Sequence, residues 1–567
     1  MKSENLKFRK IFYTLAIVAF ALISCEKQES VIDSIGMKSN ITRTNSVLIE
    51  KVKKLENPYS VSNMKKAYAI LQKENGLRML LHIDATHYYV RFLPKDSVEY
   101  ETLLADTSLT LFSYPLDYEL TEGEIYIEPS IGNNHFTWLY TRVPVDYIFS
   151  NITYEIIEEL YLPTLTEGVL KKLKQQNSAV IDNWEQLEYK SLEMTGNITD
   201  SLKQRNSKRK KYTPKATITV YDDTLKCYIP VAGVCVRARK WFNWEKGYTN
   251  DQGVAEMSGS FTGNYDWSIE WQDNLWRIRN GYIFDAYYYG STGKNGTDWY
   301  YQINSGKNKV YAHIHRACYR MFYGNNLGAY KQQKWLSNGI LGNIFPLNIA
   351  VSEGNGHGSA GINYGGNWLL FPQIIIWMNG STEETFSNPN GTNSLNIKER
   401  AYLSHEIYST TIHELAHSTH ILNMDIDIAS LAFVEKIIIE SWATAVEWAI
   451  TNDEYRNRGL ITYRHFDRRY WSLLKTDYTK NYYSKMEYSP IFIDLIDTHN
   501  QKSLGTFYSD YIFPDDKVSG FTLSELRTLL RKTLNLSDLK KNVLTLRNDD
   551  TMKANINTLF EVYEKAK

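Results

Sequence analysis

The chain has 567 residues, with 64 Lys plus Arg against 64 Asp plus Glu, and this formal charge of zero excludes a protein built around a polyanion such as nucleic acid. Apolar residues at 43% and charged residues at 23% exclude general disorder and collagen-like repeats, and at about 150 residues per domain the length predicts three or four domains. Four cysteines are too few for a disulfide scaffold, while 42 tyrosines and 14 tryptophans fit β-rich domains with binding surfaces.

Residues 1–24 read as an address. Lys2, Lys7, Arg9 and Lys10 form a positive start, and the apolar stretch 11–23 is shorter than the roughly 20 residues of a membrane-spanning helix. The stretch ends in Leu22-Ile23-Ser24-Cys25, which resembles a bacterial lipobox. The resemblance implies cleavage before Cys25 and acylation of its sulfur, with residues 25–56 as a tether to the membrane. Glu26-Lys27-Gln28-Glu29 resembles the acidic tract of Bacteroidetes surface lipoproteins, which implies an outer-membrane lipoprotein of the cell envelope, periplasmic or surface-exposed. Cys227, Cys235 and Cys318 then remain. Cys227 and Cys235 could be bridged, or all three could be buried as small apolar residues.

Residues 57–202 predict an α+β module. Met64, Ala67, Tyr68 and Leu71 fall at helical spacing with Gly76 as a stop, and 87–92 alternates as a strand before Pro94. Residues 203–215 hold Lys203, Arg205, Lys208, Arg209, Lys210 and Lys211, a basic linker without interleaved aromatics. From 216 to 289 the pattern changes to two-residue alternation, with Gly247-Tyr248-Thr249-Asn250-Asp251-Gln252-Gly253-Val254 as a turn between strands. This segment resembles the carboxypeptidase regulatory-like domain, a small transthyretin-like β-sandwich, which implies a spacer or docking role. Residues 290–567 alternate helices with Gly- and Asn-rich loops. A helix is expected over 309–323, and a buried strand over 368–378 that Pro372 assigns to a sheet edge.

The chemistry-bearing motif is His413-Glu414-Leu415-Ala416-His417, inside a helix expected over about 398–422. At 100° per residue the two histidines lie within about 40° of each other and about 6 Å apart along the axis, so both imidazoles reach one metal ion. Glu414 is turned aside by one residue, toward a water rather than the metal. This is the zincin arrangement. Histidine six positions beyond His417 would mark a metzincin, and that position is Asn423. His420 reads as a core or supporting histidine, and Asp425 and Asp427 stand at the wrong offset for a third ligand.

Downstream, Glu440-Ser441-Trp442-Ala443 with Glu447 resembles the third-ligand segment of gluzincins, the aminopeptidase N and thermolysin kind of zinc peptidase. The likeness covers about 413–450 and departs in its gap, 22 residues between His417 and Glu440. The resemblance implies a multidomain α+β chain ending in a mainly helical, zincin-like metallopeptidase domain. It implies Zn2+ held by His413, His417 and Glu440, Glu414 as general base, and protein or peptide as substrate. Glu447 would orient a ligand, and Tyr488 is a candidate donor to the oxyanion. Glu435 competes with Glu440, because the apolar stripe of Val434, Ile438, Trp442 and Ala445 centres on it. Two other functions remain open: a mucin- or glycoprotein-directed peptidase, and a non-catalytic surface adhesin or glycan-binding lipoprotein with a vestigial peptidase fold.

Overall fold

The structure, a computed structural model, describes residues 47–75, 82–131, 136–163, 178–198, 211–281, 284–293, 296–331, 346–352, 360–362, 374–377, 403–424, 433–460, 473–474, 489–500, 502, 511–512 and 514–566. The address segment with Cys25, the basic run 203–210, Gly76, Pro372, Asp425, Asp427 and Tyr488 lie outside these residues. The fold is mixed α and β with several sheets, and no helix among the described residues is long and apolar enough to cross a membrane.

The described chain begins with β1 (Leu48–Ile49), β2 (Lys51–Lys54) and α1 (Val61–Asn75), whose Met64, Ala67 and Leu71 are buried as their spacing predicts. β3 (His87–Leu93) leads to α2 (Ser97–Ala105), started by Asp96, whose Oδ1 accepts the Glu99 N–H at 2.9 Å. β4 (Tyr118–Leu120), β5 (Ile125–Tyr126), β6 (Leu139–Pro144), β7 (Thr153–Leu160) and α3 (Ser178–Met194) complete this part. β3 is the centre of an antiparallel β6-β3-β7 sheet, and β1 and β2 pair with β5 and β4. The segment expected as tether up to residue 56 therefore includes two paired strands.

β8 (Lys215–Asp222) alternates as predicted, burying Ala216, Ile218 and Val220. β9 (Cys227–Pro230), β10 (Cys235–Lys240), β11 (Asn243–Tyr248), β12 (Val254–Glu256) and β13 (Tyr265–Glu270) follow. In the turn before β12, Gly253 has φ +75°, and a Cβ there would stand 2.5 Å from Ile218 O, so the position takes glycine. The three cysteines are free thiols, with Cys227 exposed and Cys235 and Cys318 buried.

Next come β14 (Trp276–Asn280), β15 (Phe284–Asp285), β16 (Tyr287–Gly293) and β17 (Trp299–Ile303). One sheet runs β11-β10-β13-β16 and another β12-β8-β17, and Trp267 of the first stacks on Trp299 of the second at 5.5 Å. After α4 (Gly306–Phe322), β18 (Leu347–Ser352), β19 (Ala360–Ile362) and β20 (Ile374–Trp377) build a mixed sheet of order β15-β14-β18-β20-β19. Two sequence expectations change here. Pairing crosses the boundary expected at 289/290, since β17 adds to β8 and β14 pairs with β18, both in parallel. Alternation decides which face a strand buries, not which strand it meets. The strand expected at a sheet edge is interior: β20 runs parallel to β18 and antiparallel to β19, and β19 is the edge among the described residues. The described part of this strand is Ile374–Trp377, and Pro372 lies outside it.

α5 (Ser404–Met424) packs against α4, against α6 (Lys436–Asn457), and against β19 and β20. The turn after β8 ties these helices together. Fully buried Asp222 accepts hydrogen bonds from the Tyr455 hydroxyl at 3.0 Å and Arg316 Nη1 at 3.4 Å, and Arg316 Nη2 donates to Glu454 at 2.8 Å. Asp223 accepts from Lys309 Nζ at 2.7 Å and Ser404 Oγ at 2.9 Å, and Thr224 Oγ1 meets His405 Nδ1 at 2.6 Å. Breaking such a buried ion pair typically costs about 3–5 kcal/mol, so this turn fixes one end of the helix layer.

β21 (Leu473–Leu474), α7 (Ile491–Ile496), β22 (Tyr511–Ile512), α8 (Leu523–Leu530), α9 (Leu536–Leu544) and α10 (Asp550–Ala566) close the chain. The Tyr563 hydroxyl on α10 donates to Asp494 on α7 at 2.6 Å. Nearby Asp516 is buried, and this burial, with the Asp494, Asp497 and Asp515 carboxylates around it, pushes its carboxyl up to about 8. An unfolded aspartate titrates near 3.9, so the folded chain holds this proton more tightly. The stability this group confers is full below about pH 4 and is lost as pH rises through about 8. Asp516→Asn should therefore match the parent's urea midpoint near pH 3.5 and exceed it near pH 8.5. Midpoints that differ equally at both pH values would contradict this assignment.

Candidate metal centre

α5 is buried on every side along its described side chains from Ile407 to His420, apart from Thr410, which marks an interior helix rather than a surface one. Glu406 stabilises its start, accepting the Leu403 N–H at 2.7 Å. Four residues of helix bring His413 and His417 to one face, with their Nε2 atoms 3.1 Å apart. The third side chain comes from α6. Glu440 Oε2 lies 3.4 Å from His413 Nε2 and 3.2 Å from His417 Nε2. Glu447 stands two turns further along α6, about 20° from Glu440 around the axis. Its Oε2 lies 3.1 Å from His413 Nδ1, so α6 grips one imidazole at both nitrogens.

The three edges of the His413–His417–Glu440 triangle, 3.1, 3.4 and 3.2 Å, can be tested against a metal. Zinc bonds to nitrogen and oxygen of about 2.0–2.1 Å at tetrahedral angles give ligand–ligand separations of about 3.3–3.4 Å. The triangle fits, and two imidazoles with one carboxylate form a donor set suited to zinc. A proton can bridge one edge at a time, whereas one cation satisfies all three atoms together. Glu414 is also close, with an oxygen within 4.8 Å of the histidine nitrogens, but Glu440 makes the short contacts to both rings. Glu440 is thus the carboxylate set at contact distance from both rings, and Glu414 stands beside it.

The electrostatics separate the two carboxylates. Burial alone would raise Glu440, yet the His417 and His413 imidazoles outweigh it and hold the carboxyl well below the usual range. Burial dominates at Glu414 and raises it, with Glu440 and Glu447 adding to the rise against the two histidines. One stays an anion, and the other is a better base than an ordinary glutamate.

The remaining sequence candidates fall elsewhere. Glu435 is the N-cap of α6, and its carboxylate faces the Leu536 N–H at 3.4 Å, away from the triangle. Its favourable periodicity misleads because Ile437 through Trp448 are all buried, so α6 has no single apolar stripe. His420 packs edge-on to Trp442 at 6.5 Å, burial pushes it down to about 3, and its ring nitrogens have no hydrogen-bond partner among the described residues. It is a core histidine. A contact that no motif announces holds the far side: Ser489 N donates to Ser441 Oγ at 2.9 Å, with the two hydroxyls also 2.9 Å apart. The residue after Tyr488 is thereby held against the residue after Glu440.

Zinc affinity of three single variants checks this arrangement. Glu447→Ala should weaken binding about 10–100-fold, and Glu440→Ala should weaken it by more. Glu435→Ala should leave it unchanged, and stripping of the metal by Glu435→Ala with retention in Glu440→Ala would overturn the geometry.

Comparison of the chain with known proteins returns no matching family model, no matching curated protein and no matching solved structure.

Proposed function

We propose that the chain is a zinc-dependent peptidase of the gluzincin kind, tethered to the cell envelope by lipid on Cys25. The observation that carries this reading is the triangle of His413, His417 and Glu440, whose edges match a tetrahedral site. Zinc, when bound, supplies a Lewis acid that acidifies water and polarises a carbonyl. Glu414 is the residue for the proton: buried and raised, it can accept one from water and return it to a leaving amine. Glu447 keeps His413 in the tautomer whose Nε2 lone pair is free to ligate.

The surroundings support a peptide substrate. β19 is an antiparallel edge strand that packs on α5, and an extended chain can add to such an edge through backbone hydrogen bonds. The two sheets that meet at Trp267 and Trp299 support a transthyretin-like sandwich, and the α5–α6 pair beside a mixed sheet supports a zincin-like domain. The buried Glu414 carboxylate beside the His413–His417–Glu440 triangle favours this reading over a purely adhesive protein.

Glu414→Gln should retain zinc at parent stoichiometry while hydrolysis of an unstructured protein falls by about 10²–10⁴-fold. Loss of metal from this variant, or undiminished turnover, would defeat the assignment. Cys25→Ala should move the protein from the detergent phase to the soluble fraction, and unchanged partition would place the anchor elsewhere.

A further inference from the structure

A second place on the molecule combines a cavity with unsatisfied polar groups, and it owes nothing to the metal centre. A cavity of about 150 Å³ lies between α2 with the 109–114 stretch on one side and β10, β13, β14 and β15 on the other. Its lining carries two guanidinium groups, Arg237 and Arg277, and two carboxylates, Glu270 and Asp285, set among apolar walls that include Leu104 and Phe112.

Two of these groups are incompletely used. Arg277 Nη1 holds Glu101 at 2.9 and 3.1 Å, but its buried Nε has no hydrogen-bond partner among the described residues. Asp285 Oδ2 accepts the Tyr100 hydroxyl at 2.7 Å, while its buried Oδ1 has no such partner. The two orphan atoms are 4.0 Å apart. That is too far for a direct bond, yet one atom can sit about 2.8 Å from each. Such an atom must accept from Arg277 and donate to Asp285, which a hydroxyl group does. Arg237 adds a second guanidinium to the wall, where its Nη1 engages Leu111 O and Glu270.

The geometry points to this cavity as a binding site for a small neutral polyol or sugar, with one hydroxyl bridging Arg277 Nε and Asp285 Oδ1. Neutrality follows from the lining: with two cationic and two anionic groups, a charged ligand loses at one end what it gains at the other. A cavity of about 150 Å³ holds a molecule of about six heavy atoms when fully enclosed, so a ligand with a hydroxyl on each carbon has about three carbons. Water is the competing occupant, since the site is polar and large enough to hold it.

Calorimetric titration and thermal unfolding of the full chain with glycerol and with 1,2-propanediol test the site, with acetate and methylammonium as singly charged controls. The expected result is saturable one-site binding of at least one polyol, a Tm that rises with its concentration, and no response to the controls. Asp285→Asn removes the charge and, with its oxygen taken by the Tyr100 hydroxyl, presents an amide donor where the second carboxylate oxygen stood, so it should weaken binding at least about tenfold, the loss of a charge-assisted hydrogen bond. Leu104→Trp fills the cavity from its apolar wall without touching the charged groups and should abolish binding, which keeps the test decisive if Asp285→Asn is unstable. Absence of saturable binding by either polyol, survival of binding in Leu104→Trp, or equal response to the charged controls would overturn the proposal. The failure of this site would leave the metal centre standing, because none of its residues belongs to that centre.

Discussion

A helix can supply two metal ligands by itself, four residues apart, but the third must come from elsewhere and arrive within tenths of an ångström. In this chain everything turns on the register of α6 against α5. A slip of one residue along α6 would swing Glu440 by 100° and shift it by 1.5 Å, removing it from the His413–His417 pair. Leaving a carboxylate buried away from those imidazoles would cost far more than a surface charge does. The register is therefore held at several points. Glu447 grips the opposite nitrogen of His413, and the Asp222–Arg316–Glu454 ion pairs with the Tyr455 hydroxyl fix the far end of α6. Ser441 and Ser489 pin the near side.

This dependence explains why the β-rich middle of the chain is woven into the part that carries the motif. Asp222 ends β8, so the turn that locks α4, α5 and α6 is delivered by a strand of the alternating segment. β17 adds to that same strand, and β14 crosses into the mixed sheet on whose edge α5 packs. A spacer would meet its neighbour through a linker. Here the sheets are continuous with the helix layer, and strain in one would be transmitted to the other because packed interiors deform little.

Local features were legible in the sequence. The burial of Met64, Ala67 and Leu71, the alternation of β8, and the pairing of His413 with His417 each follow from a period and a few neighbours. Features that depend on distant partners were not. No local rule says that β17 rejoins β8, that β20 is flanked on both sides, or that residues 48–54 are paired strands. The competition between Glu435 and Glu440 shows the boundary well. Periodicity favoured Glu435 because it assumes a helix with one wet face, and α6 is wrapped by other elements from Ile437 to Trp448. The segment order Glu440-Ser441-Trp442-Ala443 picks out the carboxylate that stands beside both His413 and His417, and its small residues permit that close approach. The Ser441–Ser489 contact had no signal at all, being one hydroxyl meeting another across 48 positions.

The central claim is that His413, His417 and Glu440 surround one zinc ion. X-ray absorption at the zinc edge of the metal-loaded chain tests it most directly. Expected are about four nitrogen and oxygen neighbours at about 2.0–2.1 Å with outer-sphere scattering from two imidazoles, an environment that persists in Glu414→Gln and loses its carboxylate oxygen in Glu440→Ala. A sulfur neighbour at about 2.3 Å, a zinc environment unchanged by Glu440→Ala, or failure to retain zinc would contradict it.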